Sequence, residues 1–321
     1  MNTNIKLLTI NTSYNCNSSC MHCRYPGILN NHDFITPELL ESSLSNLYDH
    51  NPEWIIIGGG EPFLRFDRLD IIIQLIKKIL HRSKIHITTN GSWGADMHQA
   101  SEMAGSLVEA GVDSISFSVD SFHQKYISIE HVINSIRACL KAGLVNVSAG
   151  CLLIDSPQNN DFDAETNKFI KRLEEIPDLK INTGTGLSMI GKAAEKLSVF
   201  YNKVSYNNLS CSIKPWDGGD FNLLTSITLD NYGFLTTCAG IAIGNVLNNN
   251  IKKILHDYNP LTHPVIKILI SEGPAGLLAL AKKAGYRGDD RFVDGCHCCF
   301  VSRQYLRTHY RGILEPLVCY K

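Results

Sequence analysis

From residue 5 onward the chain alternates short apolar runs rich in β-formers with longer stretches in which apolar side chains recur every three to four residues. The strand-like runs fall at 6–11, 53–57, 84–89, 114–119, 145–153 and 179–182, and the helical stretches at about 36–48, 66–81, 97–110, 129–142 and 164–173. Strands separated by helix-length crossovers predict a parallel sheet built from βα units, about six of them, and so an α/β protein. The punctuation agrees. Thr36 followed by Pro37 suits an N-cap and first turn, and Gly111 and Gly143 stand where helices should stop. Regularity ends near Gly191. The polar stretch 197–220, interrupted by Pro215, Gly218 and Gly219, reads as a linker, and 224–229 with 234–237 as a hairpin turning at 230–233. Helical segments at 264–270 and 274–283 follow.

Composition narrows the class. With 321 residues and 44% hydrophobic side chains, the chain can bury a large core. Thirty Lys and Arg balance 31 Asp and Glu, so no net field draws it to nucleic acid or to an anionic membrane. No run reaches the length of a membrane span, and the first 15 residues lack a secretory pattern. A cytoplasmic protein is expected. Eleven cysteines are then expected as thiols rather than disulfides, and they cluster: Cys16, Cys20 and Cys23 near the start; Cys211, Cys238, Cys296, Cys298, Cys299 and Cys319 toward the end. Clustering suggests metal.

The first cluster, CxxxCxxC, follows the first strand. Three thiolates on one loop can hold three irons of a cubane and leave the fourth open for chemistry; a zinc knuckle is the bland alternative. The second strand runs directly into Gly58-Gly59-Gly60-Glu61-Pro62, and glycines at a strand end let backbone approach a ligand closely. A CxxxCxxC triplet followed by a GGE strand end in a six-unit βα chain resembles the radical S-adenosylmethionine (SAM) superfamily, over residues 5 to 195. The resemblance implies a partial (β/α)6 TIM-type barrel, a [4Fe–4S] cluster on Cys16, Cys20 and Cys23, and SAM on the remaining iron. It places Gly59, Gly60 and Glu61 at the methionyl amine, with Thr89, Asn90, Ser118 and Asp120 at the ribose and carboxylate. Lys192 stands where the family has an arginine, in Met189-Ile190-Gly191-Lys192-Ala193, and His22 where it has an aromatic residue. His123 could face the cavity as a polar contact or proton carrier.

The C-terminal order, Cys211, then GxxxxC ending at Cys238, then Cys296-His297-Cys298-Cys299, resembles the SPASM and twitch extensions of the same superfamily. That implies a smaller iron–sulfur domain over 196–321 beside a barrel domain over 1–195, with a second, auxiliary [4Fe–4S] cluster on Cys211, Cys238, Cys296 and Cys299. A zinc site on the same thiols is the alternative. Cys298 and Cys319 could ligate, or serve as catalytic thiols near the substrate; Cys139 reads as core, and Cys151 lies on a strand. The layout is similar to that of epipeptide-type peptide epimerases, in which a thiol beside the hairpin cysteine returns hydrogen to the substrate radical; here that neighbour is Ala239. The resemblance therefore implies reductive cleavage of SAM, a flavodoxin- or ferredoxin-type electron donor, and a peptide substrate that is epimerised, cross-linked or oxidised. A sugar or aminoglycoside-type small molecule is the second possibility, and an iron–sulfur electron carrier or zinc-stabilised binding protein the non-enzymatic one.

Overall fold

The computed structural model describes residues 4–25, 33–47, 51–156, 160–185, 187–205, 211 and 220–320. Most of the expected linker, including Pro215, Gly218 and Gly219, lies outside the described residues.

Six strands, β1 (Leu7–Asn11), β2 (Trp54–Gly58), β3 (Lys84–Thr89), β4 (Ser114–Ser118), β5 (Val147–Leu152) and β6 (Lys180–Gly184), pair in sequence order, all parallel. Between and after them come α1 (Pro37–Ser45), α2 (Phe66–Ile79), α3 (Met97–Glu109), α4 (Ile129–Ala142), α5 (Phe162–Leu173) and the short α6 (Lys192–Lys196). The six parallel βα units expected from periodicity are the ones observed. Each helix buries one stripe: on α4, Val132, Ile136 and Cys139 are all within 1% of fully buried, the i, i+4, i+7 spacing that puts them on one face. Thr36 caps α1 as expected, its hydroxyl accepting from the Leu39 amide at 3.2 Å, and Gly143 ends α4 with φ 95°.

The C-terminal part differs from the expected hairpin. A two-residue strand β7 (Val204–Ser205) precedes three strands, β8 (Ser226–Asp230), β9 (Phe234–Cys238) and β10 (Ile241–Asn245). Strands β8 to β10 run as an antiparallel meander. Strand β8 also pairs in parallel with the free side of β1, Leu7 opposite Ser226 and Asn11 opposite Asp230, so nine strands share one sheet among the described residues. Helices α7 (Ile251–Asp257), α8 (Ile266–Ser271) and α9 (Gly273–Lys283) follow, then β11 (Arg291–Phe292), which pairs with β7. Finally α10 (Gly295–Leu306), a helix the periodicity did not predict, carries Cys296, Cys298 and Cys299. Asp294 starts it, its carboxylate accepting from the His297 amide at 2.7 Å, the capping geometry that satisfies an otherwise unpaired helix donor.

Candidate active site

The carboxyl ends of β1 to β4 surround the first site. After β1 the chain turns through Ser13–Asn15 into the cysteine loop, and the glycines after β2 are what let it lie there. A Cβ on Gly59 would stand 2.4 Å from the Ser13 carbonyl oxygen, and one on Gly60 1.8 Å from that of Asn15. The amides of Gly60 and Glu61 donate to those same two oxygens at 2.6 and 2.9 Å. The sequence suggested that the glycines serve a ligand; their tightest constraint is this contact with the cysteine loop.

Cys16, Cys20 and Cys23 line one cavity of about 160 Å³, together with Gly59, Gly60, Glu61, Thr89, Asn90, Ser118 and His123. Burial pushes the Cys16 thiol up to about 12, the direction of a sulfur that ionises only against a cation. Glu61 is buried, and its carboxylate accepts from the Thr89 hydroxyl (2.7 Å), the Asn90 amide (2.7 Å) and the Phe63 amide (3.2 Å). Burial outweighs those bonds and lifts it to about 7. Asn90 turns its side chain back to the loop, Nδ2 donating to Asn17 Oδ1 at 2.7 Å and lying 3.8 Å from Cys16 Sγ.

Asp120 is 2% exposed and lies within hydrogen-bonding distance of both histidines, His123 Nδ1 at 3.0 Å and His22 Nε2 at 3.2 Å. Burial opposes its charge, yet the two imidazoles hold the carboxyl well below its ordinary range. For His123 burial again works against charge, and the Asp120 carboxylate reverses it, holding the imidazole well above its usual value. Lys192 lies under the loop: its amide donates to the Cys23 carbonyl at 2.9 Å and its ammonium to Ser19 Oγ at 2.7 Å.

A second cavity of about 540 Å³ brings together Cys211, Cys238, Cys296 and Cys299, with Ala239, Tyr25 and Arg303 in its wall. Cys298 and Cys319 are not brought there. Cys298 is fully buried, its thiol 3.6 Å from the Pro274 carbonyl, packed with Leu278 and Phe292. Cys319 is 2% exposed within the main core. A third cavity of about 350 Å³ joins the other two: it shares Cys23, Ser118 and His123 with the first and Arg24 and Ser188 with the second, while Tyr25 lines all three. Tyr25 and Arg303 were not anticipated. Tyr25 stands two residues past the last cysteine of the triplet, and Arg303 four past Cys299, spacings that become informative only once the loop and helix are known.

A family model described as the radical SAM superfamily matches residues 10–170. The chain belongs to the radical SAM superfamily. A relative from Sulfurisphaera tokodaii, named as a probable GTP 3′,8-cyclase, is 27% identical over 187 residues, 56% of this chain and 53% of that one; the chain thus spans about half the length of that relative. YydG of Bacillus subtilis, which carries the name of a peptide biosynthesis protein, is 21% identical over 207 residues, 64% of each chain. Two solved structures share the fold. One is anSMEcpe with bound AdoMet and Cp18Cys peptide (TM-score 0.53, 14% identity, 94% of this chain and 96% of that one). The other is BtrN in complex with AdoMet and 2-DOIA (TM-score 0.52, 14% identity, 86% and 91%). No helix among the described residues is long and apolar enough to cross a membrane.

Proposed function

We propose that this radical SAM protein carries out a two-electron oxidation of a peptide, by dehydrogenation or cross-linking, in the maturation of a ribosomally made product. Cys16, Cys20 and Cys23 would hold a [4Fe–4S] cluster, and Gly59, Gly60, Glu61 and Ser118 the methionyl and ribose portions of SAM. Bound there and reduced by a flavodoxin- or ferredoxin-type donor, the pair supplies a 5′-deoxyadenosyl radical that removes a hydrogen atom from substrate. Cys211, Cys238, Cys296 and Cys299 would hold an auxiliary cluster, which supplies a one-electron acceptor. Zinc holds sulfurs at about 2.3 Å; four thiols spread around about 540 Å³ leave room for a cubane instead.

The observation that carries this reading is the shared mouth. A substrate in the third cavity would adjoin both cysteine sets, with Tyr25 as common wall. Asp120 fixes the His123 ring beside that substrate, and Leu152 and Leu187 supply an apolar side. Epimerisation would need a hydrogen atom returned by an accessible thiol. Ala239 occupies the position beside the hairpin cysteine, and Cys151, Cys298 and Cys319 are each at most 2% exposed, which favours net oxidation.

Anaerobic reconstitution with SAM and reductant should yield 5′-deoxyadenosine, and Cys20→Ala should abolish it. With a candidate precursor peptide, run in heavy water, the product should lose two hydrogens and carry no deuterium at Cα; deuterium there would replace oxidation by epimerisation. A second reading, oxidation of a compact ring-bearing molecule, is favoured by the cyclase names among relatives and by a mouth of small-ligand size. Nucleotide or aminocyclitol turnover in the same assay would select it.

A further inference from the structure

Helix α10 presents Cys296, Cys299 and Arg303 at i, i+3 and i+7, one face of a helix, and all three line the second cavity. Arg303 is 1% exposed. Its Nη1 donates to the Ala239 carbonyl at 2.7 Å and to the Tyr320 hydroxyl at 2.8 Å. Cys299 lies one helical turn before Arg303, and both line the same cavity. The Arg303 Nε is buried with no oxygen or sulfur partner, and among the described residues no carboxylate forms an ion pair with it. Its hydrogen-bond partners, a carbonyl and a phenol, are both neutral.

A buried guanidinium without an opposing charge costs several kcal/mol. The cavity into which it points is walled by four thiols that become anionic on binding metal. We infer that Arg303 is the counter-charge of an anionic iron–sulfur centre on Cys211, Cys238, Cys296 and Cys299, and that it sets that centre's reduction potential from one helical turn past Cys299. This rests on the auxiliary cluster proposed above. A fixed positive charge favours the state with one more electron, so removing it makes the centre harder to reduce. Arg303 is a positioning and tuning residue and touches no substrate.

The test uses full-length protein with Cys16, Cys20 and Cys23 replaced by Ala, so that iron and the paramagnetic signal report the second centre alone. Arg303→Lys and Arg303→Met are made in that background, and iron, sulfide and midpoint potential are measured by redox titration followed by electron paramagnetic resonance. Arg303→Lys should keep both iron and potential near the parent; Arg303→Met should shift the midpoint to more negative values, or lose iron that Arg303→Lys retains. Full iron with an unchanged midpoint in Arg303→Met overturns the inference, as does equal loss of iron in both variants, which would make the arginine a shape-filling residue. A triple-Ala parent that binds no iron would instead sink the auxiliary-cluster reading.

Discussion

At the scale of single residues, the site depends on close approaches that a methyl group would end. Gly60 has no room for a Cβ because the Asn15 carbonyl already occupies its place. Since overpacking against backbone costs about 1–3 kcal/mol or more, Gly60→Ala should displace the cysteine loop. The expected result is a loss of iron at the first site with the second site's iron retained, read by metal analysis and Mössbauer spectroscopy. Glu61 gives a pH signature. Its carboxyl titrates at about 7 in the folded protein against 4.5 ordinarily, because burial disfavours the charge. The native state then holds a proton that the unfolded chain releases, so this residue's contribution to stability is full below about 4.5 and is lost as pH rises through 7. Denaturant titrations of wild type and Glu61→Gln across that window should show the wild type losing stability relative to the variant; parallel curves would show that the carboxyl is already ionised throughout. The triplet and the GGE strand end could be read from sequence because their spacing is local. The Asp120 contact with His22 could not, since it joins the loop after β4 to the loop after β1, whereas His123 is a local partner three residues on.

At the scale of elements, helical period was informative where one face is polar and silent where neither is. Helix α4 announced itself through Val132, Ile136 and Cys139. Helix α10 did not, because it buries His297, Cys298, Ser302 and Arg303 along with Phe300 and Leu306, which erases the amphipathic stripe. The same helix separates two cysteines that the sequence left ambiguous. Cys299 turns with Cys296 to the cavity, while Cys298 turns to Leu278 and Phe292. Iron binding at the second site should therefore survive Cys298→Ala, at a stability cost of about 1 kcal/mol for the small void, and fall in Cys296→Ala and Cys299→Ala. Loss of iron in Cys298→Ala would mean that the helix register differs when metal is bound. Strand β10 was missed for another reason: Gly240 and Gly244 bracket a run too short for its alternation to stand out.

At the scale of the whole molecule, the sheet does not stop where the sequence pattern changes. The βα pattern and the C-terminal segment read as two units, yet β8 completes β1. Long-range pairing of this kind leaves no local trace in composition or period. A fragment comprising residues 1–195 would present the backbone of Leu7–Asn11 as an open edge that includes Leu8 and Ile10, both fully buried in the intact chain. Open edges of that kind recruit other strands, so the fragment should self-associate on size-exclusion chromatography while the full chain does not. A monomeric, iron-binding fragment would show the two regions to be separable.

The pairing of β1 with both β2 and β8 also orders events in time. During synthesis β1 leaves the ribosome with Cys16, Cys20 and Cys23 well before its second neighbour β8, and before the helix bearing Cys296 and Cys299. The loop of Cys16, Cys20 and Cys23 is therefore open to iron while the sheet still lacks β8, before Cys211, Cys238, Cys296 and Cys299 have been made. A cluster on Cys211, Cys238, Cys296 and Cys299, as proposed, would have to wait for α10, so the topology makes the two cysteine sets available for metal one after the other.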